Sequence, residues 1–350
     1  MQASVLTVLV LGARGRFGLA AALAFRQAGW RVMAQMRPGA LPPNEAPNDA
    51  HADASAPAQP SIAWLNIDLH DTQALAQAGR GASVVVHALN PSAYTAKAWR
   101  REVLPMADAA IGLARTLNAT LMVPGNVYNF GAGMPSRLRE DTPQNASTVK
   151  GQIRIAMEQR LRASGVQTVV IRAGDFFGSG KNSWLDMFIV KNIRKGRVTY
   201  PGKLNVPTAW AYLPDLARCF VAVAAKAADG AQRQTFEVLH FGGYSITGRQ
   251  WLDALNPIAR SQGWVKPGGQ LIFSQVPWPM LRLGALVVPT LASVLEMRYL
   301  WDTPHALANE RLTALIGPEP HTPLETAVRQ SLADLGLLPA SAANSSLAMA

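Results

Sequence analysis

Three glycines at regular spacing follow an apolar run near the start of the chain. Val5 to Leu11 is apolar apart from Thr7, and Gly12, Gly15 and Gly18 come next. In a strand–turn–helix unit, glycines so placed allow a tight turn, a close approach of backbone N–H groups to a pyrophosphate, and close packing of helix on strand. The helix N-terminus then faces the phosphate charge. The spacing therefore predicts a dinucleotide-binding site in the first strand–helix connection.

A second recognition point for the same cofactor lies at the end of the next apolar run, Trp30 to Met36. Arg37 stands where an acidic residue would hold the ribose 2′-hydroxyl of NAD. An arginine there suits the 2′-phosphate of NADP, and Arg14 and Arg16 can add positive charge beside the same anion. NADP is therefore the expected cofactor and NAD the less favoured one. The alternative is that these arginines are ordinary solvated cations.

The alternation of apolar runs with helical patterns predicts the architecture around this site. It is typical of an α/β fold of the Rossmann type, with a doubly wound parallel sheet. The further strand-like runs are Ile62 to Ile67, Ser83 to Leu89, Thr120 to Val123 and Thr168 to Ile171. Residues 38–60 and 339–350 are rich in proline and in small or polar residues, so we expect a flexible loop and a disordered tail there.

Length and composition limit the class of protein. The chain has 350 residues, 49% of them hydrophobic, which is enough for a large core. Its single cysteine, Cys219, excludes a disulfide scaffold. The apolar stretch Leu283 to Leu295 contains Pro289 and is too short to span a bilayer, so we expect it to form core or a wall of the substrate pocket. No basic leader precedes the first apolar run, and a cytoplasmic location is expected.

The net charge of +11 is compatible with nucleic acid, an anionic membrane surface or a phosphorylated ligand. The lysines and arginines are scattered without interleaved aromatic residues, which disfavours nucleic acid as a partner. The six histidines form no metal-binding motif, so no metal site is expected. Gly178 to Ser183 looks like a phosphate loop, but Asn182 occupies the required Ser/Thr position, and we interpret the segment as a loop at the substrate cleft.

Several short motifs keep a characteristic order along the chain. They are the glycine turn, Asp68, His87-Ala88-Leu89-Asn90-Pro91, Val127-Tyr128, Arg172-Ala173-Gly174-Asp175-Phe176, Trp210 to Ala217, and Glu296 to Trp301. Together they resemble the extended and atypical short-chain dehydrogenases/reductases, the family of NAD-dependent epimerases, dehydratases and related enzymes. The resemblance covers most of the chain.

The resemblance implies two lobes and a set of cofactor contacts. A dinucleotide-binding Rossmann domain would comprise residues 1–178 and 206–244, and a smaller substrate lobe residues 179–205 and 245–338. Beyond the glycine turn and its arginines, the residues implied to contact the cofactor are Phe17, Asp68, Leu69, Ala88, Leu89, Asn90, Gly174, Asp175 and Phe176. A turn or helix-capping role is the alternative for Asp68.

The catalytic signature is where the chain departs from this family. Members usually carry Tyr-x-x-x-Lys on a helix, four residues ahead of a Glu, and a Ser or Thr after the fifth strand. With Glu158 as the anchor, the tyrosine position holds Lys150 and the lysine position Arg154, while Pro124 takes the serine position. The helix itself is predicted by a stripe of apolar residues every four positions, namely Val149, Ile153, Met157 and Leu161.

Carbonyl reduction needs a proton for the oxygen that is becoming an alkoxide. Lys150, if burial depresses its pKa, can serve as acid or base, and as an ammonium it can stabilise the oxyanion. Tyr128 and Asn126 are the other polar candidates in the same cleft. The alternative is that Lys150 and Arg154 only grip cofactor ribose or phosphate, or pair with Glu158 as helix neighbours.

The preferred hypothesis is an NADP-dependent oxidoreductase that acts on a small organic substrate. The predicted second lobe is rich in large side chains, which collectively favour a substrate with an apolar body. They are Trp184, Met187, Phe188, Trp251, Trp264, Phe273, Trp278, Met280 and Trp301. Two alternatives stay open: a non-catalytic NADP-binding sensor, which would not need the missing tyrosine and lysine, and an epimerase or dehydratase that retains its cofactor. A homodimer is compatible with the sequence.

Overall fold

The computed structural model describes residues 5–43, 61–228 and 234–339. Its strands are β1 (Thr7–Leu11), β2 (Arg31–Met36), β3 (Ile62–Asn66), β4 (Val84–His87), β5 (Thr120–Gly125), β6 (Arg137–Leu138), β7 (Thr168–Arg172), β8 (Asp175–Phe177), β9 (Arg197–Tyr200), β10 (Thr208–Tyr212), β11 (Phe236–His240), β12 (Tyr244–Ile246), β13 (Ile272–Gln275) and β14 (Ala306–Leu307). Its α-helices are α1 (Arg16–Gln27), α2 (Thr72–Ala78), α3 (Ala96–Leu117), α4 (Val149–Ala163), α5 (Leu213–Ala228), α6 (Gly248–Ser261), α7 (Trp278–Gly284), α8 (Pro289–Glu296), α9 (Tyr299–Asp302), α10 (Glu310–Ile316) and α11 (Leu324–Asp334).

Part of the predicted loop at 38–60 and most of the predicted tail at 339–350 lie outside these ranges, since residues 44–60 and 340–350 are not described. Of the loop, residues 38–43 are described, and Gly39 makes a turn there with a φ of 75°.

A parallel sheet forms the centre of the described structure, in the order β11-β7-β5-β4-β1-β2-β3. Strand β1 lies between β2 and β4, so the connections leave it in opposite directions and a crevice opens at its carboxyl end. All residues of β1 and β4 are buried because helices cover both faces of the sheet. The predicted doubly wound parallel sheet is confirmed.

Two apolar clusters hold the helices against this sheet. On one face α1 packs against α5, and Phe17 meets the edge of Phe220 at a centroid distance of 4.8 Å. On the other face α3 and α4 cover the sheet, with Trp99, Met157 and Leu161 in the interface. The predicted apolar stripe of α4 is thus partly confirmed, although Lys150, in the first turn of this helix, is itself fully buried.

A further cluster builds the second part of the molecule from later segments of the chain. Strands β8, β10 and β12 form a small sheet beside it, and aromatic side chains fill the cluster. Trp251 lies edge-on to both Trp210 and Phe177, at centroid distances of 5.1 and 5.3 Å. Of the large side chains predicted for a pocket, Trp184, Trp278 and Trp301 are also buried in this cluster.

The prediction that Leu283 to Leu295 forms core or pocket wall is wrong for its first half. The segment folds as the end of α7, a short link and α8, and Leu283, Leu286 and Val287 are more than 70% exposed. Only the second half turns inward, where Val294 is buried. None of the helices in the described ranges is long and apolar enough to cross a membrane.

The contact between α1 and the glycine turn generates a stability prediction. A Cβ at Gly18 would lie 2.3 Å from the Gly12 carbonyl oxygen, a backbone atom that cannot move away cheaply. We expect Gly18→Ala to lower the free energy of unfolding by about 1–3 kcal/mol, measured by urea denaturation.

Gly112→Ala is the matched control, because a Cβ at that helical position in α3 meets nothing within 4 Å. It should raise stability by about 0.5–1 kcal/mol. Equal stability of the two variants would contradict the close packing described for Gly18.

Candidate functional site

The glycine turn lies at the carboxyl end of β1, in the crevice of the sheet. Gly12 adopts a φ of 75°, which a residue with a side chain rarely does, and a Cβ there would come within 3.1 Å of the Ala88 carbonyl. Gly15 is the N-cap of α1, and no side chain caps this helix terminus. The structure therefore brings Gly12, Gly15, Ala88 and Leu89 together around a helix N-terminus with backbone N–H groups suited to an anion.

Gln35 supports this turn, a role that no local sequence pattern indicates. Its side-chain oxygen accepts from the Gly12 N–H at 3.0 Å, and its amide nitrogen donates to the Ile67 carbonyl at 2.8 Å. The Gln35 carbonyl also accepts from the Ala13 N–H. A buried glutamine in an apolar strand thus joins the ends of β1, β2 and β3. Only the tertiary pairing shows this role, because a lone polar residue in an apolar strand does not reveal its hydrogen-bond partners.

Arg16, predicted to add positive charge beside the cofactor phosphate, makes hydrogen bonds that the sequence does not indicate. Its guanidinium donates to the carbonyls of Gly178, Phe176 and Asn182, the shortest bond being 2.8 Å to Gly178. Burial lowers the pKa of Arg16 to about 10, so it stays a cation at neutral pH. The residue therefore ties the first turn of α1 to the loop that follows β8.

Of the other residues predicted near the glycine turn, two arginines are exposed and Phe17 is buried. Arg14 and Arg37 are exposed, near the glycine turn and the end of β2 respectively. The Phe17 ring is buried against Phe220, so only its backbone is placed to meet a cofactor. Arg14 and Arg37 are therefore open to solvent, and their predicted contact with an anion stays a prediction.

Three predicted contacts lie farther along the same edge of the sheet. Asp68 is exposed after β3, and its carboxylate accepts from the His70 N–H at 2.8 Å, as a turn-forming aspartate does. Leu69 packs partly into the core, and Asn90 is exposed after β4. The structure shows the turn role of Asp68 directly.

Gly174 lies in the connection from β7 to β8, and Asp175 and Phe176 are the first residues of β8. A Cβ at Gly174 would lie 2.2 Å from the Ala209 backbone, so the strands cross closely here. The Asp175 carboxylate accepts from the Trp301 indole N–H at 3.1 Å. Burial raises the pKa of Asp175 to about 7, against the opposing hydrogen bonds from Trp301 and Trp184. Asp175 can therefore exchange a proton near neutral pH.

Lys150 lies fully buried at the start of α4, held by α8. Its ammonium is 2.9 Å from a Glu296 carboxylate oxygen and 4.5 Å from the centre of the Tyr94 ring. Glu296 also accepts from the backbone N–H groups of Val149 and Lys150, which places its charge at the helix N-terminus. Burial lowers the pKa of Lys150 while the Glu296 carboxylate raises it. The sequence does not reveal the pairing of Glu296 with Lys150, because the two residues are 146 positions apart and meet only in the folded structure.

Glu158 does not pair with Lys150 or Arg154, so the predicted pairing of these helix neighbours is wrong. Its carboxylate binds the buried Arg172 guanidinium through two bonds, of 3.1 and 2.6 Å, and accepts a third from Asn129 at 2.9 Å. Arg154 instead lies over the Trp99 ring at 5.1 Å, with one nitrogen 3.6 Å from the Met157 sulfur. The Arg154 Nε is buried without a hydrogen-bond partner among the described residues.

Two buried tyrosines lie next to Lys150, with Tyr94 beside its ammonium and Tyr128 beside Tyr94. The hydroxyls of Tyr128 and Tyr94 are 3.5 Å apart, and burial raises the pKa of both above the usual value. Asn126 accepts from the Tyr128 N–H through its side-chain oxygen at 3.0 Å, which fixes the turn after β5. The two phenols therefore keep their protons at neutral pH, and they can donate hydrogen bonds but are poor bases. Within the described ranges, no three His, Cys, Asp or Glu side chains gather in a way that could hold a metal ion.

The family model described as the RmlD substrate binding domain matches residues 6–265 of the chain. The chain belongs to this family. The resemblance to epimerases and dehydratases of the extended short-chain type, inferred from the motifs, is thereby confirmed. A comparison with curated protein sequences gives no significant match.

Solved structures share the fold of this RmlD-family chain along nearly its whole length. DesIV, a dTDP-glucose 4,6-dehydratase from Streptomyces venezuelae with NAD and TYD bound, has a TM-score of 0.68 at 16% identity and covers 94% of this chain and 96% of its own. MoeE5 in complex with UDP-glucuronic acid and NAD gives 0.67 at 14%, covering 94% and 98%. The Bordetella bronchiseptica enzyme WbmH, in complex with NAD⁺, gives 0.65 at 18%, covering 94% and 98%. At such identities the likeness concerns the fold alone.

The pKa of Asp175 generates a prediction of pH-dependent stability. Because its pKa is raised from 3.8 to about 7 on folding, the charged carboxylate is disfavoured in the native state. The contribution of Asp175 to stability should therefore fall as the pH rises from about 4 to about 7, and the fall should level off above that. Asp175→Asn keeps an acceptor for Trp301 but cannot ionise, so its stability relative to the wild type should rise over the same window.

The measurement is urea unfolding of both proteins between pH 4 and 8 at several intervals. Asp253→Asn, on the exposed surface of α6, is the matched control and should leave the difference flat. A pH-independent difference for Asp175→Asn would show that the carboxyl titrates normally.

Proposed function

We propose that this chain is a nicotinamide-dinucleotide-dependent enzyme, of epimerase/dehydratase or reductase type, that acts on a small organic substrate. The observation that carries the proposal is the uncapped N-terminus of α1 above a glycine turn at the switch point of the sheet. Ligands of open α/β sheets bind in such crevices, and phosphate groups suit such helix termini. DesIV, MoeE5 and WbmH, which share the fold, hold NAD in their structures.

The residues present fit a dinucleotide. Gly15 keeps the approach to the α1 N-terminus open, and a Cβ there would already lie 3.2 Å from the Gly12 carbonyl. Ala88 and Leu89 line the other side of the turn, while Gly174 and Asp175 are proposed to lie near the nicotinamide end. When bound, the cofactor supplies a hydride acceptor or donor.

NADP is the proposed form of the cofactor. Arg37 is exposed after β2, and Arg14 is exposed in the glycine turn, so both guanidinium groups are free to bind a 2′-phosphate that comes near them. The NAD in the structures of DesIV and MoeE5 favours the other form. The proposal therefore depends on the charge of Arg37, where an acidic residue would favour NAD.

Acid–base chemistry is assigned to Lys150, with Tyr128 and Asn126 as further polar groups of the cleft. The Lys150 Nζ can hold a proton or release it to the Glu296 carboxylate 2.9 Å away, and as an ammonium it can stabilise a developing oxyanion. The Tyr128 hydroxyl can donate a hydrogen bond to the same oxygen. Asp175 is an additional candidate because burial places its pKa at about 7.

A non-catalytic NADP-binding sensor is the second candidate. The observation in its favour is that the Lys150 ammonium is already bonded to Glu296 and approaches the Ser293 carbonyl at 3.5 Å. A sensor would bind the nucleotide without turnover.

The choice of substrates for an activity assay follows from the structures that share the fold. DesIV is a dTDP-glucose dehydratase and MoeE5 binds UDP-glucuronic acid, so nucleotide sugars are the first substrates to try, followed by aldehydes and ketones with an apolar body. Change of the substrate without net NADPH consumption would indicate the epimerase or dehydratase type.

Cofactor preference is tested by fluorescence titration with NADPH and NADH. Arg37→Ala should lower the affinity for NADPH by about tenfold or more while leaving NADH binding unchanged, because only NADPH carries the phosphate. Arg31→Ala, exposed at the opposite end of β2, is the control. An unchanged affinity ratio in Arg37→Ala would exclude the phosphate role, and Gly15→Val should abolish binding of both nucleotides.

Lys150 is tested by turnover once a substrate is found. Removing the charge pair together, as Lys150→Met with Glu296→Gln, avoids leaving one buried charge unpaired. The double variant should lose about 10²–10⁴-fold in kcat and still bind NADPH. Lys97→Met, on the exposed face of α3, should keep wild-type activity. Full turnover of the double variant would exclude Lys150 as acid or base.

A further inference from the structure

The link between α7 and α8 carries a group of exposed apolar side chains. Residues 276–295 contain one charge, Arg282, in twenty positions. The group, here called the apolar tip, consists of Met280 (69% exposed), Leu283 (72%), Leu286 (84%), Val287 (81%) and Val288 (42%). Single exposed apolar residues are ordinary, but a contiguous group of this kind marks a surface that another apolar phase or molecule covers.

Hydrogen bonds hold the backbone and the inner side of the tip in place. On its inner side Trp278 is buried and donates from its indole nitrogen to the Pro201 carbonyl at 3.0 Å. The Val288 N–H donates to the Gly284 carbonyl at 2.9 Å and closes the turn between the helices. The aliphatic side chains thus project from an anchored turn, with Arg282 as the one cation among them.

Two segments that contribute to the same apolar cluster as Trp278 are rich in cations. Residues 181–203 and 249–282 together carry ten Lys and Arg against two Asp. All ten cationic residues are exposed. Strand pairing sets Arg197 beside Ile272, and the Gln275 side chain reaches the Gly202 carbonyl. The chain around 197–203 therefore runs alongside the strand that leads into the apolar tip.

We infer that this face binds an anionic phospholipid membrane as a peripheral surface. Aliphatic side chains that enter the acyl boundary, beside cations that meet lipid headgroups, are the two components of interfacial binding. Arg282 can extend its guanidinium to the headgroups while the tip is inserted. The inference is independent of the catalytic proposal, since it uses none of the residues assigned to the cofactor or to acid–base chemistry.

Charge argues against a second copy of this chain as the occupant of the tip, and the apolar side chains argue against a nucleic acid. A second copy of this chain would bring Arg282 and the cations of the neighbouring segment 197–203 towards their own copies, which disfavours association through this face. A nucleic acid would engage the cations but would gain little from Leu286 and Val287, because duplexes are recognised through phosphates and base edges.

The test is flotation of the full chain with vesicles of phosphatidylglycerol and phosphatidylcholine, compared with phosphatidylcholine alone. The wild type should float with the anionic vesicles and lose binding as salt rises. Leu286→Ser with Val287→Ser should weaken that binding roughly 100-fold, because two aliphatic side chains no longer enter the bilayer. Lys195→Ser, Arg197→Ser and Lys203→Ser should each cost about fivefold on the anionic vesicles only.

Val5→Ser with Leu41→Ser is the matched control, because these residues are a Val and a Leu exposed to 63% and 77% elsewhere on the chain. This variant should float like the wild type. No flotation of the wild type, or equal flotation of the tip and control variants, would overturn the inference. A concentration-dependent dimer that only the tip variant abolishes, without vesicle binding, would assign the face to a second copy instead and would also overturn it.

Discussion

The backbone contact between Gly18 and Gly12 is the constraint on which the candidate site depends. It sets α1 directly against the turn after β1, with no side chain between them. The position of the helix N-terminus, the space around Gly15 and the approach of Ala88 all follow from this contact. The side-chain oxygen of Gln35, in β2, then fixes the turn by accepting a hydrogen bond from the Gly12 N–H. The geometry proposed to bind phosphate is therefore created by backbone packing rather than by any charged side chain.

Helix α4 contributes one residue to each of two charge pairs, which differ in the exposure of the acidic partner. Glu158 and Arg172 are both nearly inaccessible and satisfy each other through two bonds, so the pair joins α4 to the end of β7. Lys150 is buried as deeply, but its partner Glu296 comes from α8 and is 18% exposed on its side chain. Breaking either pair would leave an uncompensated charge in the interior, which is strongly destabilising. The Glu158–Arg172 pair is closed to solvent on both sides, whereas the Lys150–Glu296 pair has one partner that solvent can reach.

The sequence was informative where periodicity and glycine spacing act locally. The buried strands, the α4 stripe and the glycine turn follow from such patterns, because an apolar run or a missing Cβ has few structural solutions. It was uninformative where long-range contacts decide the outcome. The bonds of Arg16 to the loop after β8, and the partners of Lys150 and Glu158, depend on which segments meet in space. The exposure of Leu286 could not be predicted either, because the sequence does not show which apolar residues are covered by other segments of the fold.

Helix α8 touches the outside of the molecule at one end and a fully buried amine at the other. It begins at Pro289, beside the exposed link, and ends at Glu296, the partner of Lys150. Eight residues of helix make a rod of about 12 Å, too short to bend appreciably. The Lys150 ammonium therefore keeps its charge only while the last residue of this short helix stays beside it, because an unpaired buried ammonium releases its proton more readily. The protonation of the interior thus depends on the placement of a helix whose first residue is at the surface.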